Sequence, residues 1–185
     1  MARKNSASLS RKMIDQILTA FGLVATLALL SLGGVTWWAY SFTTSQVHDE
    51  LAAQHIYFPP KGSPALASSD IGPYLNQYAG QQLTTGEQAH VYANHFIAVH
   101  LSEIAGGQTY ADLSTKAQAD PTNAKLQGQV ATLFKGETLR GMLLNAYAFG
   151  TVGMIAQIAA FVAFGAGAIM AILTLLGFWH LIAHN

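Results

Sequence analysis

The 185 residues are 51% hydrophobic and only 10% charged, against the roughly 25% charged of an average soluble domain, which points to a membrane protein. Nine Lys and Arg balance nine Asp and Glu, so no basic surface exists to hold nucleic-acid phosphates, and no nucleic-acid partner is expected. With no cysteine in the chain, disulfides, thiolate metal sites and cysteine nucleophiles are all excluded.

Residues 1–15 carry Arg3, Lys4, Arg11 and Lys12 against the single acidic Asp15. The positive-inside rule assigns this tail to the cytoplasm. No charged residue follows until Asp49, and a bilayer core needs about 20 apolar residues as helix, so 16–41 reads as the first transmembrane helix. Its apolar run exceeds the roughly 7–15 residues of a signal-peptide core, and VTWWAYSF after it has no small-x-small cleavage pattern. An uncleaved anchor is therefore expected. Trp37, Trp38 and Tyr40 close the run at what would be headgroup level.

Residues 42–140 read as an extracytoplasmic domain of short helices and loops. Between Asp49 and Arg140 five basic groups face eight acidic ones, but a segment this long does not vote on orientation. The strip YFPPKGSP at 57–64 cannot continue a helix. Thr85 with Gln88 is a capping-box pattern and Gly106–Gly107 is a stop, which predicts a helix over 86–105. Thr109 with Asp112 repeats the start signal, and Asp120–Pro121 breaks the chain. Ala124–Phe134 is a further amphipathic run ending before Gly136.

From Gly141 the remaining 45 residues are uncharged. Residues 141–152 read as an interfacial helix or lead-in, 153–179 as the second transmembrane helix, and 180–185 as a cytoplasmic tail. The fold class is thus an all-α membrane protein, two transmembrane helices flanking a small helical extracytoplasmic domain. Ala156, Ala160, Ala163, Gly167 and Ala171 recur at steps of three and four, a small-residue face that calls for a close partner helix. Gly22, Ala25, Gly33 and Gly34 can supply it within the chain; a second protein is the alternative. Neither span contains Asp, Glu, Lys or Arg, so Thr26, Ser31, Gln157 and Thr174 read as internally bonded side chains and not as an ion path.

Seven histidines are the conspicuous chemistry-bearing residues. His90, His95 and His100 are five apart, which turns a helix by about 140° per step and points them in three directions. Glu87–His90 matches the E-x-x-H of di-iron bundles, but the chain has only one such motif where two are needed. Glu87 and His90 remain the candidate metal ligands, with local surface pairing as the plainer role. No G-x-S-x-G, P-loop or G-x-G-x-x-G occurs, so no catalytic residue and no cofactor is expected. Glu137 and Arg140, the last charges before the uncharged stretch, form an i,i+3 pair that reads as an interfacial anchor or as a docking surface.

The string TYADLSTKAQADPTNAKLQGQVATLFKGETLRGMLLNAYAFG at 109–150, with YFPPKGSPAL at 57–66 and LLGFWHL at 175–181, resembles a family of small, uncharacterised actinobacterial membrane proteins with a span at each end. Members often carry the name of an aromatic ring-opening dioxygenase of the LigA type. That soluble enzyme type holds its iron with two histidines and a glutamate, a set that cannot be placed on this sequence, so the resemblance implies membrane insertion and no catalytic positions. Three functions follow. The leading one is a non-enzymatic accessory or scaffold subunit at the cell membrane. It would dock on a membrane-protein partner, or on further copies of itself, through Glu137, Arg140 or the Ala156–Ala171 stripe, with the lipid bilayer as its other partner. The second is an extracytoplasmic ligand or metal binder, and the third is the dioxygenase of the family name.

Overall fold

The computed structural model describes residues 3–183, with side chains from residue 11 onward. Of the ends expected in the cytoplasm, the side chains of Arg3 and Lys4, and all of His184 and Asn185, lie outside the described residues. Every regular element described is helical: α1 Arg3–Ala53, α2 Gly72–Leu75, α3 Gly86–Tyr92, α4 Ala98–Ala105, α5 Tyr110–Ala119 and α6 Ala124–Ala183, with a π-helical turn Ala93–Ile97 joining α3 to α4. Two 3-10 turns, Pro64–Leu66 and Asn76–Tyr78, flank α2. The 51 residues of α1 and 60 of α6 contain stretches long and apolar enough to cross a membrane. At 1.5 Å per residue α6 alone is about 90 Å long, three times a hydrocarbon core.

Contacts divide the chain into two compact units, one of residues 1–41 with 154–185 and one of 42–153. The first is a hairpin of the two apolar stretches. The less exposed positions of α1, Asp15, Thr19, Gly22, Thr26, Leu29, Gly33 and Thr36, alternate steps of four and three. That mean spacing of 3.5 is the seam of a left-handed helix pair. The opposing seam of α6 carries Ala160 and Ala163, 0% and 4% exposed, with Gly167 buried and Ala156 and Ala171 half-buried. A Cβ added at Gly33 would stand 2.7 Å from the Phe164 ring, and one at Gly22 2.6 Å from Thr174 Oγ1. The small residues therefore let the two helices approach, as the sequence pattern requires of a close pair. The buried hydroxyls bond backward to their own helix: Thr19 to Asp15 O, Thr26 to Gly22 O and Thr174 to Met170 O, each at 2.8 Å. At one end His180 Nε2 comes within 4.0 Å of Asp15 Oδ2, and near the other Trp37 meets Phe161 edge-on at 5.8 Å.

The second unit is built on large apolar side chains. Phe58, Leu75 and Leu83 are at most 2% exposed and anchor its main cluster, to which α1 gives Val47 and Leu51 and α6 gives Leu143. The Pro-rich strip runs antiparallel to 80–83: the Phe58 amide donates to Gln81 O and the Leu83 amide to Ile56 O, both at 2.9 Å. Thr85 caps α3 through the full reciprocal box with Gln88, and Thr109 caps α5 with Asp112. Gly106, at φ 59°, ends α4 in the left-handed conformation that glycine adopts without steric cost.

The expected halt before Gly136 does not occur, because α6 continues through Gly136 and Gly141. Gly136 serves a close approach: Leu101 of α4 packs where its side chain would be. Residues 141–152 are likewise part of α6, and they pack inside this unit. Leu143 is 2% exposed, and Gly150 lies so near Gly86 that a Cβ on it would be 3.3 Å from Gly86 Cα. The predicted helix over 86–105 is one helical rod interrupted by the π turn, whose signature is the Ala98 amide donating to Ala93 O.

Candidate functional site

Arg140 ties α6 to the π turn through its guanidinium. Its Nη1 donates to Glu137 Oε2 at 3.2 Å and its Nη2 to Asn94 Oδ1 at 3.1 Å. Its Nε is buried with no hydrogen-bond partner. Asn94 sits in the π turn, where the wider winding offsets side chains from the α-helical phase, and π turns of this kind recur at functional sites. The pair Glu137–Arg140 is half exposed, 45% and 32% at the side chains. It borders a cleft of about 450 Å³ shared by Ser102, Gln108 and Tyr110. Lys116 donates to Gln108 at the same mouth. The arrangement fixes a guanidinium in one orientation beside a carboxylate.

The histidines are distributed among separate aromatic contacts. His90 stacks on Tyr147 with centroids 4.3 Å apart, and His95 lies nearly parallel to Tyr74 at 3.5 Å and 9°. His100 packs on Phe96 at 4.5 Å and places Nδ1 2.7 Å from Phe96 O. The close crossing of Gly86 over Ala146 and Tyr147 is what brings His90 above its ring. Glu87 is exposed on the first turn of α3. Among the described residues no three His, Asp or Glu side chains gather closely enough to hold a metal ion. Between these rings, Tyr92 stands edge-on to Phe58 at 5.3 Å, and burial pushes its phenol pKa up.

Of the residues singled out from sequence, the structure brings Glu137 and Arg140 together and adds Asn94, which no local pattern marks because it lies 46 positions away. It gives His90 an aromatic partner and no carboxylate within a metal set. It places Ala156, Ala160, Ala163, Gly167 and Ala171 on the seam side of α6, where Gly167 packs against Leu29 and Leu30 of α1.

Compared with protein-family models, curated proteins and solved structures, the chain matches none. Its class is therefore defined by the fold: an all-helical protein with two long apolar helices able to span a membrane.

Proposed function

We propose that the protein is a two-span membrane protein of the cell membrane, a non-enzymatic accessory or scaffold subunit. Both ends are cytoplasmic, and the unit 42–153 is outside. The observation that carries the membrane reading is the outward direction of the large apolar side chains on both long helices. Phe21, Val162 and Trp179 are 68%, 66% and 70% exposed while the buried seam holds Ala, Gly and Thr. In water such a surface far exceeds the few hundred Å² of apolar patch that soluble monomers tolerate. A hydrocarbon surrounding makes it ordinary. The resemblance to the two-span actinobacterial family agrees with this reading.

The docking surface belongs to Glu137 and Arg140. The Ala156–Ala171 stripe already faces α1, whereas the Arg140 guanidinium is held in place at the edge of an open cleft. An exposed i,i+3 ion pair alone is worth about 0.3–0.5 kcal/mol, so a docking role predicts a larger effect on assembly than on folding. The membrane half is tested with single cysteines at Ser8 and Ser69 and an impermeant maleimide on intact cells: Ser69→Cys should label and Ser8→Cys should not. The reverse pattern overturns the topology. The docking half is tested by Arg140→Ala, which should keep insertion and labelling while reducing copurification of a membrane-protein partner at least severalfold. Wild-type yields of every copurifying protein would reduce the pair to an anchor.

A further inference from the structure

We infer that the central unit holds one acyl chain of an amine-bearing membrane lipid in the groove between the end of α1 and residues 139–149 of α6. This rests on the two-span membrane reading.

The groove has a volume of about 380 Å³. Its floor is Val47, Leu51, Leu143 and Ala146, and its α6 wall is Leu139, Met142 and Phe149. Phe42, Met142 and Phe149 are 53–63% exposed. In a unit read as lying outside the membrane, three large apolar side chains around one concavity call for an apolar occupant.

Shape selects which occupant. Residues 139–149 run about 15 Å along α6, so the groove is an elongated trough that follows the helix. A polymethylene chain lying along such a trough can keep its carbons about 3.5–4.0 Å from the apolar lining.

Charge selects the head. The other rim is Gln46 and Glu50, one turn apart on α1, with Gln54 just past its end, so three polar side chains border the apolar trough. Glu50 is exposed and has no ion-pair partner among the described residues. A carboxylate on this rim favours a primary ammonium head and disfavours a fatty-acid carboxylate or an anionic glycerol lipid. The source is the bilayer because Phe42 follows directly on the aromatic run Trp37–Tyr40, which the membrane reading places at headgroup level.

The experiment uses the full chain in phosphatidylcholine nanodiscs doped with phosphatidylethanolamine or phosphatidylglycerol, each bearing the same diazirine-tagged acyl chain, with crosslinked peptides identified by mass spectrometry. Crosslinks to Phe42, Met142 or Phe149 should be about two- to fivefold more frequent with the ethanolamine lipid, within the range of an exposed charge pair. Glu50→Gln should bring that ratio close to one. Gln46→Trp, which fills the trough from its exposed rim, should remove the groove crosslinks while leaving those on Trp38 and Ile155. Ala146→Trp should do the same from the floor. Crosslinks on Trp38 and Ile155 with none in the groove would overturn the lipid site and leave the membrane reading standing. No crosslinks on either would overturn the membrane reading itself. Groove crosslinks equal for both lipids in the wild-type chain would overturn the assignment of the amine head.

Discussion

The two units of the chain solve burial in opposite ways, and α6 changes from one rule to the other within a few turns. At Leu133 and Leu143 the large side chains are buried, each 2% exposed, whereas beyond Gly153 it is Ala160 and Ala163 that are buried, with Ile155, Ile158 and Val162 turned outward. In the central unit, as in any water-soluble core, apolar area is removed from solvent and stability follows from it. In the hairpin little large apolar area is removed, and close backbone approach with internally bonded threonines takes its place. A single helix can thus be read for its surroundings by asking which size of residue it hides.

The largest effect that sharpens this contrast comes from one Phe in each unit. Phe58 is 2% exposed and ringed by Tyr78 and Tyr92 at 5.2 and 5.3 Å, so Phe58→Ala should destabilise the central unit by about 3–5 kcal/mol. Phe21→Ala, on the outward face of α1, should cost no more than about 0.5 kcal/mol. Protease resistance of the central unit during denaturant titration in mild detergent reads the first, and heat-induced loss of helix in nanodiscs reads the second. Equal costs would mean that the outward face of α1 is a protein contact.

A smaller effect distinguishes two neighbouring glycines. A Cβ at Gly33 meets the Phe164 ring, whereas one at Gly34 meets nothing within 4 Å. Gly33→Leu should strain the seam by about 1–3 kcal/mol and Gly34→Leu should be neutral. Because the chain contains no cysteine, the seam can be reported by a cysteine pair at Leu29 and Gly167. There the added Cβ of Gly167 lies 3.4 Å from Leu29 Cβ, close to disulfide geometry. Oxidative crosslinking of that pair should survive Gly34→Leu and fall with Gly33→Leu. Loss in both would show that the hairpin packs on a face other than Gly22–Gly33.

Local chemistry made part of this legible in advance. Thr85 and Thr109 announce their helices because a hydroxyl and a side-chain acceptor three residues later are both present. Thr85→Ala should cost about 1 kcal/mol, read as earlier hydrogen exchange in 86–89. The small-residue periodicity of 156–171 is readable from local spacing in the same way, and Ala160, Ala163 and Gly167 on it are buried. What depended on distant residues was not legible. Gly136 looks like a stop, and the reason a glycine stands inside the continuing α6 is the packing of Leu101 against it. The π turn at 93–97 has no sequence mark, and with it goes the Asn94–Arg140 bond.

The smallest expected effect is a pH response confined to one cap of the central unit. Asp112 accepts from the Thr109 hydroxyl at 2.7 Å and from the Thr109 amide at 3.1 Å. The side-chain bond first, then the backbone bond, hold its carboxyl below the usual carboxylate range, with Lys116 adding a minor pull. A lowered folded-state pKa means that the cap's contribution is complete above the ordinary carboxylate value. It is lost as pH falls through the lower, folded one, where the protonated carboxyl no longer accepts both bonds. The group is fully exposed, so the loss should fray α5 locally and leave the rest of the unit folded. Amide exchange of 110–113, corrected for intrinsic rate, should quicken on acidification below the usual carboxylate range, while the amides around Leu83 and Ala89 stay protected. Asp112→Asn keeps an acceptor and removes the titration, so its exchange in 110–113 should be independent of pH over the same window. If the variant responds to acid as the wild type does, the fraying begins elsewhere, and the Thr109–Asp112 box is not what holds the start of α5.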